Sequence, residues 1–467
     1  MTNAMPKHNM ENENNNKKLY LCTYMKENSE TISHILSVLK IETLNTMQEA
    51  TIKAYEENKD IVLLSPTGSG KTLAYLLPLV RQLDASNNEV QALVLVPSRE
   101  LALQTEQVFK SMGTKLRAMS CYGGRPAMEE HRTMNGVHPQ VIVGTPGRMN
   151  DHLQKHNFDV HGIHTLIIDE FDKSLEFGFQ DEMSQIIGQL PNLDKRILLS
   201  ATDAEEIPLF TGMERTLKLN FLETNLYHYD RIRLHVVNSQ EKDKLDALYK
   251  LLCVLGSQNS LVFVNYRESV DRVGRYLQDK GVYCEMFHGG MEQMDRERAL
   301  YKFSNGSCNV FVSTDLASRG LDIPDIDNII HYHLPVNEEA YIHRNGRTAR
   351  WDAEGNSYII LNDAEQVPEY INENPDIFVF PDKLPKPSMP DWVTLYIGKG
   401  KKDKLNKVDV VGFLSKVGNL SKNELGRVDV KDHFAFAAIR RKKLKETLNL
   451  VKGEKIKGMK TIIEMTK

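Results

Sequence analysis

Eight residues, Ser65-Pro66-Thr67-Gly68-Ser69-Gly70-Lys71-Thr72, constrain this chain more than any other stretch: small residues closed by a lysine and a hydroxyl. They follow an apolar run, Ile61 to Leu64, and open a helical pattern, Leu73-Ala74-Tyr75-Leu76-Leu77. A strand, a glycine-rich loop and a helix in that order form an α/β unit whose loop can wrap a triphosphate with backbone N–H groups. Lys71 is then placed to reach the β- and γ-phosphates, and the Thr72 hydroxyl to ligate Mg²⁺. Ser65 stands where the pattern usually has glycine; a small residue avoids a clash there. A Gly/Ser surface turn is the plainer alternative, and the flanking strand and helix argue against it.

At 467 residues the chain can hold two or three domains with sizeable cores. No apolar run is long enough to cross a membrane. Residues 1–18, rich in Asn, Glu and Lys, read as a disordered lead-in without the apolar centre of a secretion signal. Five scattered cysteines without C-x-x-C spacing suit free thiols in a reducing cytoplasm. The net charge of −4 hides an asymmetry: from Asp391 to Lys467 there are 19 lysines and arginines against 9 acidic residues. A basic module on an acidic body points to a polyanionic partner, with a merely solvated basic surface as the alternative.

Short apolar runs alternate with helical patterns, as parallel sheets buried on both faces require. They include Ile61–Leu64, Leu93–Val96, Val141–Val143, Leu166–Ile168 and Ile197–Leu199. The second half adds Leu234–Val237, Leu261–Val264, Val310–Val312, Ile329–His331 and Tyr358–Leu361. The pattern predicts one α/β domain over 19–220, a linker over 221–232, a second α/β domain over 233–364 and a Pro-rich linker over 365–390. Residues 391–467 then read strand, helix, two strands, helix, strand: an α+β unit of the βαββαβ, RRM-like kind.

Asp169-Glu170-Phe171-Asp172 directly follows the run Leu166–Ile168, and strand ends are where α/β sheets carry catalytic groups. Asp169 suits the water-mediated holding of Mg²⁺, and Glu170 the orientation and deprotonation of an attacking water. Ser200 and Thr202 also follow a strand, and their hydroxyls could bond Asp172 and relay nucleotide state; a helix cap is the default reading. The second half carries His343-Arg344-Asn345-Gly346-Arg347-Thr348-Ala349-Arg350. Helical spacing would turn Arg347 and Arg350 to one side, as donors to charge developing on a γ-phosphate. Surface ion pairs are the bland reading of both.

Together these residues resemble the DEAD-box RNA helicases of helicase superfamily 2, in order and spacing, from about residue 20 onward. Pro97-Ser98-Arg99-Glu100-Leu101-Ala102, Gly123-Gly124 and Thr145-Pro146-Gly147-Arg148 match first-domain motifs of that family. Val262-Phe263-Val264-Asn265, Gln293 with Arg296, Ser313-Thr314-Asp315 and Ala317 to Asp322 match second-domain motifs. The resemblance implies two tandem RecA-like domains with ATP in the cleft between them and RNA across both. It assigns RNA backbone contacts to Arg99, Gly124, Thr145, Arg148, Arg296 and Thr314. It places Gly320 and Asp322 at the nucleotide, His343 between the ATP and RNA functions, Gln48 on the adenine and Tyr24 stacked on it. The sequence departs from the family at Phe171, predicted to point into the first domain's core. It departs also around Gln48 and at Ala349 and Trp351 beside the two arginines.

The tail resembles the RNA-binding domain of the bacterial DbpA-type helicases through Thr394 to Leu405, Gly426 to Val430 and Lys455 to Lys460. That resemblance implies recognition of structured large-subunit ribosomal RNA. Phosphate contacts are expected from Lys399, Lys401, Lys402, Lys404, Arg440 and Arg441. Phe434 and Phe436 share one strand face and are expected in the core rather than stacking bases. The resulting expectation is a cytoplasmic, monomeric ATP- and Mg²⁺-dependent RNA helicase acting in ribosome assembly. An ATP-gated RNA clamp or annealing chaperone is the alternative, and DNA the alternative substrate.

Overall fold

The computed structural model describes residues 31–466, except 59, 67, 125, 204–206, 223–230, 319–325, 349–353 and 372–373. The expectations for residues 1–18, Tyr24, Thr67, Gly320, Asp322, Ala349, Arg350, Trp351 and most of the 221–232 linker lie outside the described residues. The chain divides into two units, up to Asn225 and from Leu226 on.

The first unit is a seven-stranded sheet in which every pairing is parallel, with order β3-β4-β2-β5-β6-β1-β7. Its strands are β1 (Asp60–Leu64), β2 (Ala92–Leu95), β3 (Ala118–Cys121), β4 (Val141–Gly144), β5 (Thr165–Ile168), β6 (Lys195–Ser200) and β7 (Thr216–Asn220). Alternation decides the layers: Ala92 and Val94 pack on one face of the sheet, Leu93 and Leu95 on the other. Helices cover both faces, so β1 to β5 are buried throughout. Phe171 is buried in the second of these layers, its ring 6.5 Å from Phe210, as its apolar character predicted.

The second unit begins with a sheet of the same design, order β10-β11-β9-β12-β13-β8-β14. Its strands are β8 (Ile232–Ser239), β9 (Ser260–Phe263), β10 (Cys284–Phe287), β11 (Val310–Ser313), β12 (Asn328–His331), β13 (Gly355–Asn362) and β14 (Asp376–Ile377). The last strand corrects the reading of 365–390 as linker alone. Residues 376–377 pair with β8, and Phe378 and Phe380 pack on the domain's core.

The same unit ends in a four-stranded antiparallel sheet of β15 (Trp392–Ile397), β16 (Leu425–Val430), β17 (Ala435–Arg440) and β20 (Ile463–Met465), order β16-β17-β15-β20. A hairpin of β18 (Lys455–Ile456) and β19 (Met459–Lys460) precedes β20. Helices Lys407–Lys416 and Leu444–Val451 complete the βαββαβ order. Ala435, Ala437 and Ile439 point into this domain's own core. Phe434 and Phe436 do not: Phe436 is buried as expected but against a neighbour, and Phe434 is only half-buried, which corrects the expectation for it. They lie on the opposite face with Tyr396, and Phe436, 1% exposed, stacks on Tyr301 of the preceding helicase-like domain at 4.9 Å. Tyr301 also donates to the Arg427 carbonyl at 2.5 Å, and Asn305 to the Thr394 hydroxyl at 2.8 Å. The open face of the small sheet is thus partly covered by its neighbour in the same unit.

Candidate nucleotide and RNA sites

All first-unit motifs sit at carboxyl ends of parallel strands, the edge where α/β sheets bind ligands. The phosphate loop follows β1 and is held by backbone freedom and by neighbours. Gly68 and Gly70 have φ of 82° and 87°, a region that penalises any side chain. A Cβ at Gly70 would also lie 2.6 Å from Gln48 Nε2. The Gln48 amide donates to the Gly70 carbonyl at 3.3 Å and accepts the Asn45 N–H at 3.1 Å. Asn45 in turn accepts the Gln48 N–H at 2.9 Å and donates to the Ser69 carbonyl at 3.0 Å. This reciprocal cap starts the helix Thr46–Glu57 and ties it to the loop. Asn45 was not singled out from the sequence. A D/N/S/T-x-x-Q spacing ahead of a helix could have found it.

Ser65 explains its own departure from glycine: its hydroxyl donates to the Ser69 hydroxyl at 2.7 Å, closing the loop on itself. The Ser65 N–H donates to the Ser200 carbonyl at 3.0 Å, anchoring the loop to β6. Lys71, buried at the start of the helix Lys71–Gln82, donates to the carbonyls of Ser65 and, at 3.0 Å, Pro66. Thr72 follows it in the first turn of that helix.

Asp169 leaves the end of β5 and is 3% exposed. Burial raises its carboxyl pKa above the ordinary carboxylate range, opposed by the Lys71 charge, the Glu170 N–H at 2.9 Å and the Tyr75 hydroxyl at 3.2 Å. Glu170 sits at φ 50° and caps the helix Phe171–Glu176. A carboxylate and a hydroxyl, both hard oxygen donors, are the set a Mg²⁺ ion takes, and a buried carboxylate of this kind is stabilised by a cation. Asp169 and Thr72 therefore fit the ion. Asp172 accepts the Thr202 hydroxyl at 3.1 Å, and the Thr202 N–H donates to the Ser200 hydroxyl at 3.1 Å. The three residues read from sequence as a relay are in one hydrogen-bonded chain.

A second group of motifs gathers on β2, β3 and β4. Arg99 opens the helix Arg99–Ser111, and its guanidinium lies so close over Gly124 (φ 93°) that a Cβ there would be 2.4 Å from Nη1. Thr145 follows β4, its N–H donating to the Cys121 carbonyl at 3.1 Å. Arg148, on the helix Pro146–Gln154, donates to Glu130 at 3.1 Å.

In the second unit, Arg296 is buried over the Phe287 ring at 5.3 Å, and Thr314 follows β11 half-buried. His343 is 2% exposed, 3.4 Å from the Glu339 carboxylate. The helix Glu338–Asn345 stops before Gly346, so Arg347 lies in the turn that follows and not on the expected helix; Arg350 is outside the described residues. Two arginines went unnoticed in the sequence. Arg344 is fully buried, donating to Asp315 at 2.5 and 3.1 Å, Asn265 at 2.8 Å and the His333 carbonyl at 2.9 Å. Arg267 lies against Gly289, whose Cβ would be 3.4 Å from its Nη2, an echo of Arg99 on Gly124. The repeated Arg-Glu and Gly-Gly pairs of the two halves were the available signal.

In the tail, Lys401 and Lys402 are exposed; Lys399 pairs with Asp403 at 2.7 Å, and Lys404 turns the loop at φ 61°. Arg440 pairs with Asp391 at 2.9 Å and covers the Trp392 ring at 4.3 Å. Arg441 donates to the carbonyls of Pro390 and Trp392 and lies over Tyr283 at 4.8 Å. Arg441 thus braces the junction with the helicase-like domain, while Arg440 stays within the tail.

The geometry defines the class: tandem RecA-like domains, the first with a phosphate loop, an acidic strand end and a Ser/Thr relay. Comparison with known proteins agrees. Residues 45–208 match the DEAD/DEAH box helicase family, 243–352 the helicase conserved C-terminal domain and 394–465 the DbpA RNA binding domain. ATP-dependent RNA helicase DbpA of Escherichia coli is 31% identical over 444 residues, 92% of this chain and 96% of that protein. Its Bacillus subtilis counterpart is 29% identical, over 88% and 92%. Among solved structures, S. cerevisiae Dbp5 bound to RNA and ADP BeF3 is 26% identical with a TM-score of 0.64, covering 71% of this chain and 87% of that one. DEAD-box helicase Mss116 bound to ssRNA and UDP-BeF gives 26% and 0.65, over 71% and 73%. The chain belongs to the DEAD-box ATP-dependent RNA helicases, in their DbpA-like branch, and is an RNA-dependent ATPase. Among the described residues no helix is long and apolar enough to cross a membrane.

Proposed function

We propose that this enzyme couples ATP binding and hydrolysis to local unwinding of RNA, and that its substrate is ribosomal RNA during large-subunit assembly in the cytoplasm. The observation that carries the coupling is the hydrogen-bonded chain from Asp172 through Thr202 to Ser200, whose carbonyl accepts the Ser65 N–H of the phosphate loop, linking the strand ends β1, β5 and β6. In this reading the loop Ser65–Thr72 holds the triphosphate, and Thr72 and Asp169 hold Mg²⁺, which when bound offsets phosphate charge. Gln48 reads the adenine, with Gly320 and Asp322 completing the nucleotide site. Glu170 takes the proton of the attacking water, and Arg347 and Arg350 stabilise charge leaving the γ-phosphate, with His343 linking this step to RNA. RNA backbone is held by Arg99, Gly124, Thr145, Arg148, Arg296 and Thr314.

ATP and RNA act together only if both favour one arrangement of the domains, so their affinities must rise reciprocally. Titrating labelled single-stranded RNA with and without a non-hydrolysable ATP analogue tests this; equal affinities in both arms rule it out. Strand displacement measured beside ATP turnover separates unwinding from a clamp, which hydrolyses and displaces nothing.

The ribosomal target rests on the DbpA-like tail, with exposed Lys401 and Lys402 as its phosphate contacts. Crosslinking in cells should recover ribosomal RNA with the native chain and much less with Lys401→Glu/Lys402→Glu. Unchanged recovery would remove the loop from the targeting role.

A further inference from the structure

Cys121, Glu130 and His152 place a thiol, a carboxylate and an imidazole within 4.8 Å of one another, all buried. A metal centre is the obvious thought, and the surroundings oppose it. Burial and the nearby carboxylates Glu130 and Glu106 push the Cys121 thiol well up, away from the thiolate a metal takes. The Arg148 guanidinium already occupies the carboxylate at 3.1 Å.

Glu130 is instead a hub with three donors. Its Oε1 accepts the Tyr122 N–H at 3.1 Å, and its Oε2 accepts Arg148 Nη1 at 3.1 Å and His152 Nε2 at 2.9 Å. Asn157 donates to His152 Nδ1 at 2.8 Å, which leaves Nε2–H as the donor to Glu130. One carboxylate thereby binds the residue before Gly123-Gly124 and two successive turns of the helix Pro146–Gln154.

The second domain gives an internal reference. In each sheet an edge strand, β3 or β10, ends two residues before a Gly-Gly pair, with Arg99 or Arg267 lying over it. The fourth residue of the next helix is Glu130 in Ala127–Val137 and Arg296 in Gln293–Ser304. Where the second domain puts a cation at this place, the first puts an anion and brings the cation in from the neighbouring helix as Arg148.

We infer that Glu130 is a positioning residue for RNA. It fixes the Arg148 guanidinium beside the Gly123-Gly124 turn so that both meet one stretch of sugar-phosphate backbone. The inference rests on the reading of Arg148 and Gly124 as RNA contacts. Glu130 does not touch RNA itself; without its charge Arg148 and the turn lose their fixed separation, and RNA binds a site that must first be ordered.

The test uses the full chain with E130Q, E130D and R148A. E130Q keeps the shape but has one acceptor oxygen for three donors; E130D keeps the charge with shorter reach. ATP turnover is measured against the concentration of a single-stranded oligoribonucleotide, with unfolding temperature recorded for each variant. A charge-assisted hydrogen bond predicts that E130Q raises the RNA concentration for half-maximal turnover about 10-fold, with turnover at saturating RNA retained. E130D should recover much of that loss, and R148A should match or exceed it. If R148A weakens RNA dependence and E130Q does not, Glu130 has no positioning role while the RNA reading stands. If E130Q lowers saturated turnover or stability with the RNA dependence intact, its role is structural. If R148A changes nothing, the RNA reading of Arg148 falls and the inference with it.

Discussion

The two helicase domains repeat one sheet design and use it differently, most clearly after the strand that lies sixth in each order. β1 leads into the phosphate loop and Lys71; β8 leads, through a short turn, to Lys244 at the start of the helix Leu245–Leu255. Both lysines are buried. Lys71 donates to backbone carbonyls at the mouth of a glycine-rich loop, where its charge also acts on the buried Asp169 carboxylate. Lys244 donates to the Ile360 carbonyl at 2.9 Å and to both oxygens of Glu365 at 2.9 and 3.1 Å, so its charge is neutralised inside the fold. Burial alone does not mark a catalytic lysine; the glycine-rich loop whose carbonyls hold Lys71, against the Glu365 carboxylate that pairs with Lys244, does.

The contrast can be broken by paired substitutions. Lys71→Ala should lower kcat by about 100-fold or more, as loss of a transition-state donor does, with the unfolding temperature little changed. Lys244→Ala should do the reverse. Leaving Glu365 half-buried without its cation costs about 3 kcal/mol in a urea titration, while hydrolysis per folded molecule is retained. A folded Lys244→Ala enzyme turning over at under a tenth of the normal rate would end the distinction.

Phe436→Ala sharpens a second contrast, between the seam inside the second unit and the separate cores on either side of it. Removing the ring from Tyr301 should cost about 3 kcal/mol of second-unit stability and open the 381–390 segment to protease. Unchanged proteolysis would mean that the seam does not hold the tail.

The smallest effect on stability concerns Asp169. Its carboxyl pKa is raised by burial, so between the ordinary value of about 4 and the raised one the folded chain holds a proton that the unfolded chain has lost. Stability therefore falls as pH climbs through that window and stays lower above it. Asp169→Asn should abolish turnover yet raise the unfolding temperature of the ligand-free protein at neutral pH by about 2 °C. A lower unfolding temperature would show that Lys71 and the two hydrogen bonds outweigh burial.

Much of this was legible in the sequence, for physical reasons. Strands buried on both faces must be continuously apolar, which exposed β1, β2, β5 and β12. The phosphate loop was legible because only small residues permit its backbone. Edge strands were missed: β3 reads Ala-Met-Ser-Cys and β10 Cys-Glu-Met-Phe, mixed runs without a continuous apolar signal, although β3 is buried throughout. The orientation of Phe436 was missed because strand alternation gives two faces without saying which one meets a neighbour. The geometry of Arg347 was misread because Gly346 ends the helix a turn early. Gln48 on Gly70 and Glu130 on Arg148 are contacts between distant segments, and local pattern is blind to them.

The seam between Phe436 and Tyr301 gives the tail a bearing as well as an address. A recognition module on a loose tether brings its motor to a neighbourhood and leaves the approach to chance. Here Tyr301 and Asn305 hold Phe436, Arg427 and Thr394 and so fix the module's angle to the second domain, and a bound landmark would also dictate which nearby strand the motor meets. Moving this tail to another helicase without its Tyr301 platform would carry over the destination and lose the aim.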